Sequence, residues 1–462
     1  MALYLYHLIY EQFAQYADRE AIVYRDHSIR YTQLRASIEH WGAVLAERGV
    51  RPGTVVGICG DYSPHTCSLF LALAGNGNVI VPLPTTGESL QRYLELSHAE
   101  ACFTFTDTEQ WSFATFTPAE PPPLLQRLQA RQTAGLVVFS SGTTGQCKAG
   151  LLDFAKLLER HRQPRHGYRT LVFLLLDHLG GIHTMLHTLA HGGTLIVSAD
   201  RQPESVCQAV EQHRVELLPT TPTFLRMLVI SGLYERYDLS SLQLITYGTE
   251  PMPPRTLQDL IRLFPTVRFK QTYGLSELGV LPTRSAASDS LWLQVGGVGC
   301  ETRIVDNMLW IRSETAMMGY LNAPSPFDAE GWYNTQDAVE VQGPYVRILG
   351  RTSDIINVGG HKVYPVEVEN VLLEMDNIRE ATVWGQANPI TGQVVAARVS
   401  LAQPEEQAAL ERRVHQFCRG RLAPYKIPVY VDIVAGEHHG QRFKKVRPAA
   451  QAPSRPASMA LA

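Results

Sequence analysis

The chain has 462 residues, 45% of them apolar and 18% charged, with 35 glycines and 28 prolines; it exceeds one ordinary core, which predicts a large and a smaller domain in a turn-rich α/β protein. A formal net charge of −3 supplies no chain-wide basic field, which argues against nucleic acid or an anionic membrane surface as a partner. Seven cysteines, at 59, 67, 102, 147, 207, 300 and 418, show no CxxC spacing, which argues against a disulfide scaffold or zinc site.

The opening Met-Ala-Leu-Tyr-Leu-Tyr-His has no basic leader and Glu11 interrupts its apolar pattern, so no export signal is expected and a reducing cytoplasm is the simplest location. Residues 32 to 49 read as a helix, with Thr32 as cap, Leu34, Ile38, Trp41 and Leu45 on one face and Gly49 after the last turn. A strand at Val55 to Cys59, a helix at Thr66 to Ala74 and an apolar segment at Val79 to Pro82 continue a layered α/β alternation. Thr117 to Pro123 is proline-rich and predicts a surface crossing, and Leu136 to Phe139 is a β-prone run ending in a small-residue loop. The run Leu171 to Leu176, bounded by Arg169 and Asp177, is far shorter than the roughly 20 residues of a membrane helix and reads as a buried strand. Leu242 to Tyr247 and Val267 to Thr272 each end at glycine and would deliver their C-terminal ends to one ligand crevice. Beyond Asp354 the texture changes. Ile355 to Val358, Gly359-Gly360 and Lys362 to Tyr364 suggest a hairpin before a helix opened by Pro365, and a later helix places Leu410, Val414 and Phe417 on one face. The tail from Ala449 to Ala462 has a disordered composition.

The strongest chemical signal is Phe139-Ser-Ser-Gly-Thr-Thr-Gly-Gln-Cys-Lys148. Its glycines permit close backbone approach, and its hydroxyls, amides and lysine can surround phosphate oxygens. The P-loop pattern GxxxxGK[ST] fails because Cys147 and Ala149 occupy two of its positions. The Ser-Gly-Thr-Thr-Gly-x-x-Lys loop resembles the nucleotide loop of the adenylate-forming superfamily: acyl-CoA synthetases, adenylation domains of peptide synthetases, and luciferases. The resemblance continues in order through Tyr247-Gly-Thr-Glu250, Tyr273-Gly-Leu-Ser-Glu277, Met318-Gly-Tyr-Leu321, Asp337, Gly350-Arg-Thr-Ser-Asp354, Leu422-Ala-Pro-Tyr-Lys-Ile-Pro428 and Lys444, and so covers nearly the whole chain.

The resemblance implies an α/β fold with a large N-terminal AMP-binding domain (1–353) of layered α/β subdomains plus a small barrel-like part. A smaller mobile α+β domain (354–448) would carry the catalytic lysine, before a disordered tail (449–462). It implies ATP and magnesium as cofactors, a carboxylic acid as substrate, and CoA or a carrier-protein phosphopantetheine as acceptor. Ser140, Ser141, Gly142, Thr143, Thr144, Gly145 and Lys148 would hold phosphates, with Gly248, Thr249, Glu250 and Gly274 beside the nucleotide. Tyr273 would stack on adenine, Ser276 would contact phosphate, Glu277 would hold magnesium, and Asp337, with Arg351 nearby, would accept the ribose hydroxyls. Lys444 would reach between carboxylate and α-phosphate, Asp354 would be the hinge, and Gly359-Gly360 would approach the thiol's pantetheine arm after domain rotation; a plain hairpin turn also explains those glycines.

Departures from the family pattern bear on these assignments. Phe443 stands where glycine usually precedes the lysine, so Lys445 is a runner-up to Lys444 and a solvated basic tail an alternative; Gln336 replaces a glycine before Asp337, and Cys147 a proline before Ala149. His178, in Asp177-His178-Leu-Gly-Gly181, aligns with the acyl pocket, though a core histidine bonded to a backbone carbonyl fits as well. Helical spacing makes His183, His187 and His191 neighbours, without an evident carboxylate to complete a metal site. The position of His178 weakly favours an acyl or aryl acid over an α-amino acid. A carrier-protein loader, an amide synthetase whose acyl-AMP is captured by an amine, and a non-catalytic adenylate-binding regulator are the rival functions.

Overall fold

The computed structural model describes residues 2–25, 27–84, 90–141, 146–434, 438–440 and 443–448. Among them, two seven-stranded sheets form the large N-terminal part. The first runs in the order Arg268–Gln271, Leu244–Tyr247, Leu217–Thr220, Arg169–Leu171, Thr194–Val197, Glu20–Tyr24 and His27–Arg30, parallel except for its last hairpin. The second runs Gly319–Tyr320, Cys147–Asp153, Gly135–Ser141, Val79–Leu83, Val55–Cys59, Ala101–Phe105 and Trp111–Thr115. Val55–Cys59 and Val79–Leu83 are buried at every position, as expected of central parallel strands covered on both faces.

Helices Tyr31–Glu47 and Pro64–Asn76 lie in a core that joins Ile22 and Leu195 of the first sheet to Val56, Ile80 and Val138 of the second. Pro64–Asn76 is buried all the way from Thr66 to Ala74, which is what a helix between two layers requires. The expected helix boundaries shift for local reasons. Thr32 is not the cap: the helix begins at Tyr31 after an extended Arg30, whose N–H donates to Gln33 Oε1 at 2.8 Å. Thr66 sits at the third helical position, and Ser63 caps that helix, its Oγ accepting from Thr66 N at 3.2 Å.

The run Leu171 to Leu176 is a strand only at its start. Val172 N still donates to Ile196 O, but the Phe173 carbonyl accepts from Arg201 Nε at 2.6 Å, and the chain turns into helix Leu179–Ala190 with His178 as its N-cap. Leu244–Tyr247 and Arg268–Gln271 are adjacent parallel strands in register, so their C-terminal ends open on one side, as their sequences suggest.

A six-stranded antiparallel sheet, Thr283–Ser285, Leu293–Val295, Tyr345–Arg351, Tyr333–Gln342, Met308–Ser313 and Cys300–Val305, packs around Leu278, Leu309, Ile311 and Val339. The smaller C-terminal part has five strands, Ile356–Val358, His361–Val363, Ile378–Asn388, Gly392–Leu401 and Tyr430–Ile433, with helices Pro365–Leu373 and Gln407–Cys418. Leu410 and Val414 are fully buried in its core and Phe417 packs against it. Its first two strands form the expected hairpin, turning at Gly359 and Gly360 with φ of 57° and 90°, a conformation in which glycine carries no Cβ penalty. The tail 449–462 lies outside the described residues.

Candidate active site

A crevice of about 540 Å³ opens where the two sheets, the antiparallel sheet and the C-terminal segment meet, within the usual range for a small-molecule site. Its walls include Ser140, Lys148, His178, Gly248, Thr249, Tyr273, Gly274, Ser276, Glu277, Arg351 and Lys444. Residues scattered from 140 to 444 are thus brought to one cavity. Gly142, Thr143, Thr144 and Gly145 lie outside the described residues, and Ser141 is described only as the end of its strand.

Glu277 is 7% exposed; its Oε1 accepts from Tyr320 Oη at 2.6 Å and from Ser140 Oγ at 3.3 Å. Burial, reinforced by this carboxylate, pushes the Tyr320 hydroxyl well above the usual phenol range, so Tyr320 stays a donor. Lys148 Nζ lies 5.1 Å from the centre of the Tyr320 ring, a cation–π distance. Asn322 ties the start of strand Cys147–Asp153 to the segment after Tyr320: its Nδ2 donates to Cys147 O, and its Oδ1 accepts from Ala149 N, each at 2.9 Å.

On the opposite wall Tyr273 Oη donates to Asp337 Oδ2, and Arg351 Nε lies 3.5 Å from Asp337 Oδ1. Burial raises the Asp337 carboxyl above the ordinary range, against the opposing pull of Tyr273 and Arg351. Asp337 itself sits just behind the residues that face the open volume, between Gln336 on its strand and Arg351 on the next. Gln336 and Thr249 both adopt left-handed backbone, φ 59° and 73°, which accounts for glycine as the usual residue before Asp337. At Gly248 a Cβ would come 2.6 Å from Thr272 Oγ1, so only glycine fits that wall without displacement.

Lys444 lines the crevice, and with His178, Thr249 and Phe443 it also lines a small adjoining cavity. Lys445 points elsewhere, its Nζ 2.9 Å from Glu369 Oε2. Phe443 has φ 48°, the region that favours glycine, and its ring is 5% exposed against Phe173 and Phe224 at 5.2 and 5.9 Å. The substitution therefore keeps the backbone turn and adds an anchor.

Glu250 departs from the expected arrangement. Its carboxylate accepts from Thr223 N at 2.8 Å and Lys445 N at 3.3 Å and lines a separate cavity with Glu369 and Arg447, because the backbone after Thr249 turns it away from the crevice. Gly359 and Gly360 form the turn between strands Ile356–Val358 and His361–Val363 and are not among the residues that line the crevice. Asp354, in a short turn after strand Tyr345–Arg351, lies 3.7 Å from Arg447. Tyr320, Tyr333 and Asn322 were not assigned from sequence; Tyr320 falls inside the Met318-Gly-Tyr-Leu321 motif, which was the available signal, whereas nothing local marked Tyr333.

The profile described as AMP-binding enzyme matches residues 9–321, and that of the AMP-binding enzyme C-terminal domain matches 367–439. The chain belongs to the AMP-binding enzyme family. It is similar to the indoleacetate–CoA ligase of Aromatoleum aromaticum, 26% identical over 473 residues that cover 90% of this chain and 91% of the relative. The family fold is shared with the anthranilate CoA ligase AuaEII solved with anthranoyl-AMP, TM-score 0.80 at 18% identity over 96% of this chain and 95% of that one. It is shared as well with the amide bond synthetase McbA from Marinactinospora thermotolerans, TM-score 0.78 at 21% identity over 96% and 97%. No described helix of this family member is long and apolar enough to cross a membrane.

Proposed function

We propose that this AMP-binding enzyme is an AMP-forming acid:thiol ligase: it joins a carboxylic acid to ATP as acyl-AMP, releasing pyrophosphate, and passes the acyl group to CoA as a thioester. The observation that carries the reading is the convergence of Lys148, Glu277, Tyr273, Arg351 and Lys444 on one crevice. The first step brings a carboxylate against the α-phosphorus of a triphosphate, and two unit anions about 4 Å apart repel by roughly 4 kcal/mol at an effective dielectric near 20. Lysines entering from two distant segments supply the opposing charge, Lys148 toward the phosphate tail and Lys444 toward the reacting carboxylate and α-phosphate.

Magnesium fits the donor chemistry of Glu277, a shielded carboxylate whose described hydroxyl contacts both go to Oε1. A hard cation there would share phosphate oxygens and neutralise their charge. Tyr273 would bear the adenine, Asp337 the ribose hydroxyls with Arg351 beside it, and Ser276, Gly274, Gly248 and Thr249 would line the nucleotide. His178, on the crevice wall next to Lys444, would border the acid. The domain division falls at 353/354 with Asp354 as hinge; rotation there would bring Gly359-Gly360 toward the acceptor thiol. Work in a reducing cytoplasm suits seven free cysteines, six of them buried.

A library of carboxylic acids assayed for pyrophosphate release, with CoA, phosphopantetheinyl carrier protein, amines or hydroxylamine as acceptor, tests the reading. The expected result is acid-dependent release with thioester formed from CoA. Product only with carrier protein or only with an amine would reassign the acceptor; ATP binding without release for any acid would indicate a regulator.

A further inference from the structure

Away from the crevice, helix Leu179–Ala190 carries His183 and His187, and His191 forms its C-cap. The four-residue spacing stacks them on one face. His161, in the turn that follows helix Phe154–Glu159, closes on all three with ring centroids 5.1, 5.7 and 6.0 Å away. One ring nitrogen from each of His161, His187 and His191 lies within 4.8 Å of the others.

His161 is 2% exposed, and neither of its ring nitrogens has a hydrogen-bond partner among the described residues. A buried polar group left in this way is costly. His191, also 2% exposed, sets Nδ1 2.6 Å from His187 O and Nε2 3.1 Å from Gln163 O. One carbonyl contact fixes the ring, as carbonyl partners do for metal-bound histidines, and a tilt away from the other would turn a ring nitrogen toward a shared cation.

We propose that His161, His187 and His191 form a site for one borderline divalent cation, zinc being the reference ion, with His183 alongside. The set contains no carboxylate, which disfavours magnesium and calcium, whereas imidazole suits zinc, copper and nickel. Arg160, Arg165 and Lys270 add positive charge around the cluster, so the bound ion would carry an anion or hydroxide in its remaining position. Half-buried His187 gives the ion a route in. His178 starts this helix, roughly 14 Å from His187 and 20 Å from His191 along the axis at 1.5 Å per residue; the cation would therefore pin the turn at His161 to the helix rather than enter the chemistry of the crevice.

The test uses the full chain without a polyhistidine tag and without nucleotide, loaded with zinc chloride, freed of excess and titrated against a chromophoric chelator. Cobalt substitution supplies a visible spectrum of the same site. The expected result is one zinc per chain, retained in Glu277→Gln and weakened at least about tenfold in His187→Gln and His161→Asn. If His161→Asn fails to fold, His187→Gln, at a half-buried position, carries the comparison. No retained zinc, uptake unchanged in His187→Gln, or uptake abolished by Glu277→Gln would each overturn the proposal.

Discussion

Glu369 and Lys445, 76 residues apart, meet at 2.9 Å in the interior of the protein. The Glu369 side chain is 3% exposed and also receives Arg447 Nη2 at 3.0 and 3.1 Å and Val383 N at 3.0 Å. Lys444 thus lies between two anchors, the ring of Phe443 in the large domain's aromatic cluster and the Lys445–Glu369–Arg447 group of the C-terminal part. Its position at the crevice follows from neighbours that do no chemistry.

Burial by itself would push the Glu369 carboxyl up, but Lys445 and Arg447 prevail and hold it below its ordinary value of 4.5. A depressed folded value contributes stability that is complete above the unfolded value and lost as pH falls through the folded one. Urea unfolding should show wild type losing this contribution below pH 4.5, while Glu369→Gln lacks that slope. Removing the charge should cost about 3–5 kcal/mol, because Lys445 and Arg447 both lose their buried carboxylate.

Tyr320→Phe removes one hydroxyl donor from Glu277 and leaves the ring beneath Lys148. A hydrogen bond to a charged group contributes about 1.5 kcal/mol or more, so catalytic efficiency for MgATP should fall roughly tenfold with the melting temperature nearly unchanged. Steady-state pyrophosphate release at varied ATP measures it.

Phe443→Ala and Phe443→Gly separate the ring from the backbone. Both lose the contacts with Phe173 and Phe224, but alanine keeps the unfavourable left-handed φ, which costs roughly 1–2 kcal/mol more than glycine. Adenylation should fall in both, and about fivefold further in Phe443→Ala. Equal rates in the two variants would show that the backbone turn does not position Lys444.

These pairs also mark how far the sequence could be read. The strands ending at Tyr247 and Gln271, the Gly359-Gly360 hairpin and the crevice residues Lys148, Tyr273, Ser276, Glu277 and Lys444 were legible because each sits in a local pattern whose period or residue order carries the signal. Glu250 was misplaced because a motif gives order but not the direction of a side chain after a left-handed residue. Glu369, Tyr333 and the closure of His161 on the helix at His187 depend on contacts between distant segments, which no local period encodes. The run from Leu171 to Leu176 was rightly read as buried and wrongly as all strand, since apolar character reports burial and not hydrogen bonding.

Asp337 should impose a pH dependence on nucleotide binding. Burial raises its carboxyl above 3.8, and the ionised form offers both oxygens as charged acceptors to the ribose hydroxyls, whereas protonation turns one of them into a donor. Affinity for ATP, measured by fluorescence of a ribose-unmodified analogue, should therefore weaken on acidification at a higher pH than an ordinary aspartate would give. Asp337→Asn should bind more weakly and lose that step.

Lys444, delivered by the C-terminal segment, is expected to complete the adenylation site. Acid-dependent exchange of labelled pyrophosphate into ATP, compared between wild type, Lys444→Ala and Lys445→Ala at equal ATP saturation, tests it most directly. If Lys444 completes the site, Lys444→Ala loses at least about a hundredfold, equivalent to some 2.7 kcal/mol of transition-state stabilisation, and Lys445→Ala loses less, in step with its stability. Exchange that survives in Lys444→Ala would contradict it.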